Sequence, residues 1–178
     1  MTNTIEQLSA VEKLIEQNSG IRLDIGCGGN KMPGYVGMDL RALPGVDIVH
    51  DVEQYPWPLP DECVMTAVAS HLVEHIAPQR FGFINFMNEV WRVMKTGGEF
   101  AIATPHGYSP GYLQDPTHCN PCNEATWSYF DPFEPNTQGA LWGIYQPKPW
   151  RIKYLAWDPS ANIEVVLVKR SLKEIANV

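Results

Sequence analysis

The chain has 178 residues, 44% of them hydrophobic, with a formal net charge of −7 and a pI near 5.1. That length suits one domain with one core large enough to need no disulfide staple, and four cysteines are too few for a disulfide framework. The acidic balance, without any block of Lys or Arg, argues against a nucleic-acid footprint. No signal peptide and no long apolar run is evident, which points to a cytoplasmic protein.

Residues 4–18 read as a helix. Thr4 and Gln7 can form a capping box, Ile5, Leu8, Val11 and Ile15 share one face, and Gly20 suits the position past its end. The apolar run Ile21–Ile25 then stops in three glycines, Gly26, Gly28 and Gly29, as a buried strand entering a tight turn does. A second short run, Tyr35–Met38, ends in Asp39, an acid placed to accept hydrogen bonds from a ribose. The pattern excludes two nucleotide classes. A phosphate loop would need a Gly-Lys-Ser/Thr ending. The dinucleotide fingerprint would need a third glycine where Lys31 stands, and an acid about 20 residues on, whereas Asp39 follows Gly26 by 13. A nucleoside ligand without a pyrophosphate remains, and S-adenosylmethionine fits.

Val46–Val49 reads as a third strand, closed by His50-Asp51-Val52. Pro56, Pro58 and Pro60 make residues 55–61 a stiff connector. Cys63–Ala69 is a fourth strand, ending at Ser70-His71-Leu72-Val73-Glu74-His75. His71, Glu74 and His75 share a helical face and are competent metal ligands; the plainer role for Glu74 and His75 is to order the loop, and the reading kept is no metal. His71 can take a proton near neutral pH. Residues 79–95 are the clearest helix, with Phe83, Met87, Val90, Trp91 and Met94 on its apolar face, and Glu89 and Arg92 paired at the surface. Thr96-Gly97-Gly98 stops it, and Phe100–Thr104 is a fifth strand.

Residues 105–151 hold eight of the fifteen prolines and many aromatics, the composition of an ordered lid or pocket wall. His106 and His118 lie there as further base candidates. Cys119 and Cys122 lack the second ligand pair a zinc site wants, so they read as loop thiols. Residues 150–157 and 163–169 form a strand pair around the loop 158–162.

Several of these stretches resemble the class I S-adenosylmethionine-dependent methyltransferases, and more narrowly their small bacterial and phage-type members. They are Leu23-Asp24-Ile25-Gly26-Cys27-Gly28, the Pro33-Gly34 loop, and Val36-Gly37-Met38-Asp39-Leu40. The run Glu89–Gly98 and the segment Asp115-Pro116-Thr117-His118, with the aromatic stretch Thr126–Phe130, agree with the same family. The likeness covers Ile21 to Phe130 and departs at Ser70, where the family has an extra Glu before the histidine, and at Met94 and Thr96.

The resemblance implies an α/β fold, a Rossmann-like doubly wound seven-stranded sheet with its last strand antiparallel. Here the crossovers after the first two strands are shortened. One methyltransferase domain is expected over 1–178: an N-terminal helix (1–20) that packs on the sheet or closes over the cofactor, a cofactor-binding core (21–104), a substrate lid (105–151) and a C-terminal strand pair (152–170). It implies cofactor contacts from Asp24, Gly26, Cys27 and Gly28, from Asp39 and Leu40 at the ribose, and from Ser70 and His71 at the methionine end. Asp51 and Val52 would meet the adenine, although Asp51 as a turn cap stays open. Quinone O-methyltransferases of the superfamily look similar around Glu74 and use a divalent ion.

The implied activity is methyl transfer from S-adenosylmethionine to an oxygen or nitrogen of a small-molecule acceptor, by in-line displacement, with His71, His106 or His118 as base. DNA is a poor acceptor, because the polar-Pro-Pro-aromatic tetrad is absent at Ser70–Val73. A cofactor-binding module or activator subunit without its own turnover is the first alternative, and a related nucleoside-dependent transferase, such as an aminopropyltransferase, the second.

Overall fold

The computed structural model describes residues 2–134 and 142–175, with side chains from residue 9 onward. Its strands are β1 (Ile21–Ile25), β2 (Val36–Asp39), β3 (Ile48–Val49), β4 (Val64–Ser70), β5 (Met94–Pro105), β6 (Trp150–Trp157) and β7 (Asn162–Lys169). Its helices are α1 (Thr2–Asn18), α2 (Gly82–Val93), α3 (Pro110–Leu113) and α4 (Glu124–Ser128), with single helical turns at 142–145 and Leu172–Ile175. The strands make one sheet in the order β3-β2-β1-β4-β5-β7-β6. β1 to β5 pair in parallel, and β7 runs antiparallel to both neighbours. The expected seven strands and antiparallel last strand are both present. The strand order reverses between β1 and β4, and a ligand of an open α/β sheet binds at the carboxyl ends beside such a point.

The shortened crossovers are present too. Among the described residues, 26–35, 40–47 and 50–63 contain no helix. Carboxylates fasten these loops instead. Asp24 Oδ2 accepts the Met32 N–H at 2.8 Å. Asp47 Oδ2 accepts the Gly37 N–H at 2.8 Å and Lys31 Nζ at 2.6 Å. One sheet face, with Leu23, Ile25, Ala67, Ala69, Phe100, Ile102, Val165 and Leu167, packs on Phe86, Met87, Val90 and Val93 of α2. Each of the larger side chains among these contributes roughly 1.5–3 kcal/mol when taken from water. The opposite face carries Val68, Ala101, Ala103 and Val166 beneath a groove of 610 Å³.

Several local readings need correction, and one falls outside the described side chains. Ser19 (φ 56°), not Gly20, takes the left-handed position after α1, and the Gly20 N–H closes the turn on Ile15 O at 3.1 Å. The Thr4–Gln7 capping box lies outside the residues whose side chains are described. The helix expected over 79–95 begins only at Gly82, after a 3₁₀ turn at Gln79–Phe81 whose Arg80 and Phe81 are left-handed. A Cβ at Gly82 would sit 1.9 Å from Ala77 O, so the tight corner forces glycine there. The helix ends at Val93 because Met94 already pairs with Val64; pairing then jumps to Glu99 opposite Thr66, so 95–98 bulge out of β5.

Glu89 and Arg92 are no simple surface pair. Glu89 is buried, and Arg92 donates to both its oxygens (2.6 and 3.0 Å), to Asp61 and to the Leu59 and Trp57 carbonyls. Glu89 Oε1 also accepts the Trp57 N–H at 2.6 Å. The clamp fastens the proline connector to α2. The 105–151 segment is also less of a lid than its composition suggests: Trp127, Phe130 and Trp150 are fully buried members of the core.

Candidate active site

β1, β2 and β4 all end at one rim, and their tips carry the glycines and acids. Gly26 is left-handed (φ +70°), and a Cβ there would come within 2.8 Å of Leu72 Cδ1, so any larger residue drives Leu72 outward. Asp39, at the tip of β2, is 7% exposed. Its Oδ2 accepts the Gly28 N–H at 2.8 Å and its Oδ1 accepts the Arg41 N–H at 2.9 Å. Burial by itself would raise its pKa; the Arg41 and Gly28 N–H groups and the Arg41 guanidinium outweigh it and hold the carboxyl below the usual range. Arg41 Nε adds a longer bond to Oδ1 at 3.4 Å, so of the roughly four lone-pair directions of a carboxylate one, on Oδ2, stays free for a ligand.

Asp39 lines a cavity of 390 Å³ together with Gly26, Leu40, Asp51, Val52, His71 and Leu72, among others. Small-molecule sites run roughly 300–1,000 Å³. Leu40 is 66% exposed at the cavity edge, an apolar side chain the fold leaves uncovered, and Val52 is buried in the wall. Asp51 Oδ1 accepts the Glu53 N–H at 3.0 Å. The turn-cap reading of Asp51 is therefore present in the geometry, and its second oxygen remains for a ligand.

Asp24, Cys27 and Ser70 line the adjoining sheet-face groove rather than this cavity, with Gly26 common to both. Burial raises the Asp24 pKa against the Met32 N–H and Lys31, which lower it. Cys27 is pushed up to about 11 by burial and by Asp24 and Asp39, so its thiol is neutral and no nucleophile. Gly28 serves Asp39 through its N–H and is not among the lining residues.

On the other side, His71 and His75 join this cavity to a third of 300 Å³, lined also by Glu74, Asp115 and His118. His71 sits at φ +52°, a conformation uncommon for a non-glycine residue, with its ring half-exposed. Its Nδ1 lies 3.2 Å from Glu74 Oε1. Glu74 is 0% exposed, and its Oε2 accepts the Thr104 hydroxyl at 3.1 Å. The segment that carries Cys119 and Asn120 is pinned here. Glu74 O accepts the Cys119 and Asn120 N–H groups at 2.9 and 3.0 Å, and Asn120 Nδ2 donates to Val73 O at 2.8 Å.

The sequence candidates thus separate. His71 and His118 meet at one cavity. His106 is outside it: its Nδ1 accepts the Tyr108 N–H, its Nε2 faces Glu124 Oε2 at 3.4 Å, and its ring stacks on Trp157 at 4.0 Å. Sequence reasoning missed Leu72, Arg41 and Asp115. Arg41, next to the acid of β2, is the one that its spacing could have shown.

No protein-family model matches the chain, and no curated protein matches it. Solved structures do, at low identity. A S-adenosylmethionine-dependent methyltransferase from Archaeoglobus fulgidus has a TM-score of 0.59 at 19% identity, over 91% of this chain and 92% of its own. The 16S rRNA (adenine(1408)-N(1))-methyltransferase of Catenulisporales acidiphilia has 0.55 at 13%, over 92% and 91%. The [4+2]-cyclase SpnF has 0.54 at 13%, over 92% and 80%. The fold is that of the class I S-adenosylmethionine-dependent methyltransferases.

Proposed function

We propose that the protein is an enzyme that binds S-adenosylmethionine at the tips of β1, β2 and β4 and transfers its methyl group to an oxygen or nitrogen of a small-molecule acceptor. The observation that carries this is the buried, ionised Asp39, with an acceptor direction left over, at the edge of a cavity walled by Leu40 and Val52. Asp39 takes the ribose hydroxyls, Asp51 the adenine amino group, and Leu40 and Val52 its two faces. Asp24 and Ser70 lie on the side of Gly26 where the amino-acid tail would run, and a ligand ammonium would compensate the buried Asp24. When bound, the cofactor supplies a methyl group made electrophilic by its sulfonium.

The chain's own task is to hold the acceptor and remove its proton. His71 stands between the two cavities and is the proton acceptor in this reading. The net charge of −7 favours a small acceptor over RNA, even though an rRNA methyltransferase is among the structural neighbours. The cyclase among them shows that this fold also carries other chemistry, which keeps a binding module without methyl transfer as the second reading.

The test is S-adenosylhomocysteine release across a panel of hydroxyl and amine acceptors, with wild type and His71→Asn. Asn is at ease in the left-handed region, so the backbone at 71 is kept. Release that falls at least about 100-fold in the variant, the scale of general-base loss, supports the assignment. Unchanged turnover removes His71 as base. A wild type that binds S-adenosylhomocysteine but releases none with any acceptor transfers the reading to the module.

A further inference from the structure

The 300 Å³ cavity holds a donor set that the proton-transfer reading does not use. One ligand atom from each of Glu74, His75 and His118 lies within 4.8 Å of the other two. We propose that these three side chains bind a divalent transition-metal ion, with Zn²⁺ as the reference ion. The sequence alone offered His71 beside Glu74 and His75; the folded lid brings His118 instead, from far along the chain.

Three observations point to an ion. First, Glu74 is 0% exposed, and its Oε1 has no hydrogen-bond donor. The His71 Nδ1 at 3.2 Å is close but not aligned for a bond. A buried carboxylate oxygen without a donor is costly, and a cation relieves it. Second, both imidazoles have Nδ1 engaged so that Nε2 keeps its lone pair. His118 Nδ1 lies 2.9 Å from the Tyr112 carbonyl and can only donate to it. The Thr117 hydroxyl donates to Asp115 Oδ1 at 2.7 Å, so its oxygen accepts from His75 Nδ1 at 3.1 Å. Metal-binding histidines are oriented in this way, through the nitrogen that does not bind the ion.

Third, the set is two imidazoles and one carboxylate beside open space. That is the composition of catalytic zinc and of facial-triad centres, with positions left for another ligand. Less than about 1 Å of movement per donor reaches the roughly 2 Å ligand distance. The ion site stands on these donors alone. That its open positions hold an oxygen of the acceptor rests on the methyl-transfer reading, and there it narrows the acceptor to a hydroxyl compound able to bind a metal.

The experiment is titration of the metal-stripped full chain with Co²⁺, read by visible ligand-field absorption, then displacement with Zn²⁺. A single equivalent is expected. His118→Asn weakens Co²⁺ binding at least about 100-fold, and Thr117→Val, which removes the hydroxyl that links His75 to Asp115, weakens it roughly 10–100-fold. Both variants still bind S-adenosylhomocysteine, which separates a lost ion site from a lost fold. Cys119→Ser leaves the spectrum unchanged. The proposal is overturned if the wild type takes up no Co²⁺, if His118→Asn binds it like the wild type, or if absorption is thiolate charge transfer that Cys119→Ser abolishes. A wild type that takes up Co²⁺ but not S-adenosylhomocysteine would end the cofactor assignment and leave the ion site intact.

Discussion

The Asp39 end and the Glu74 end of this cleft are built differently. At the Asp39 end the candidate groups sit on strand tips: Gly26 directly follows β1, Asp39 ends β2, and Asp51 and Val52 follow β3 within a few residues. Strand pairing alone brings these groups together, as Gly26 and Cys27 N–H both reach Met38 O across β1 and β2. At the Glu74 end Glu74 and His75 meet His118 only because the segment after β5 docks its Cys119 and Asn120 N–H groups on Glu74 O. One site is a property of the sheet, the other of a tertiary contact. The first should therefore be rigid and strict about its backbone, and the second should be separable from it by mutation.

The largest effect should come from Gly26→Val. A side chain at φ +70° is strained, and its Cβ displaces Leu72 from its place in the cavity wall. S-adenosylhomocysteine affinity, measured by calorimetry, is expected to fall at least about 100-fold, equivalent to about 2.7 kcal/mol. His118→Asn should leave that affinity within about threefold; an equal loss in both variants would erase the distinction between the two ends.

Arg92→Ala tests what the ends share. Its clamp holds the connector that leads from the Asp39 side to β4, so both should loosen together. Arg92 is partly exposed, which discounts the usual cost of breaking a buried pair to about 2–3 kcal/mol of unfolding free energy by urea titration. A change below about 0.5 kcal/mol would return the pair to the surface role its spacing suggested.

Asn120→Ala removes one lid hydrogen bond, worth about 1 kcal/mol. Hydrogen exchange should rise across 115–122 and stay unchanged in β1 and β2. Uniform acceleration would show that the lid is part of the sheet's cooperative unit after all.

The smallest effect is a pH dependence. Asp39 has its folded pKa depressed, so its contribution to stability is fully present above the ordinary carboxylate value and is lost only as pH falls through the lower folded value. S-adenosylhomocysteine affinity should accordingly stay flat from neutral pH down to about pH 5. A decline already at pH 6 would mean that Asp39 is not the ionised acceptor.

The same division explains what could be read from the chain. Ile21–Ile25 with its glycines, the acid at 39 and the apolar runs of β4 and β5 are local signals with a period and a stop, and the sheet follows from them. The failures lie where a distant partner decides. Phe81 and Gly82 shift the start of α2 because Ala77 O leaves no room for a Cβ. Glu89 looked exposed at helical spacing but is buried under Trp57, which lies more than thirty positions away. His106 and His118 were equivalent in sequence; Glu124 and Trp157 take the first out of the cleft, and the docking on Glu74 brings the second in. Trp127 and Phe130 read as lid aromatics because nothing local marks a residue that fills the core from a proline-rich loop.

The central claim is that Asp39 and the glycine bend grip an adenosine that carries sulfur. Isothermal calorimetry of S-adenosylhomocysteine with wild type and Asp39→Ala tests it most directly. Each hydrogen bond to a charged acceptor is worth about 1.5–3 kcal/mol. The account predicts saturable one-to-one binding to the wild type and a loss of at least about 100-fold in the variant. Equal affinity in the two proteins, or a wild type that does not bind the compound, would contradict it.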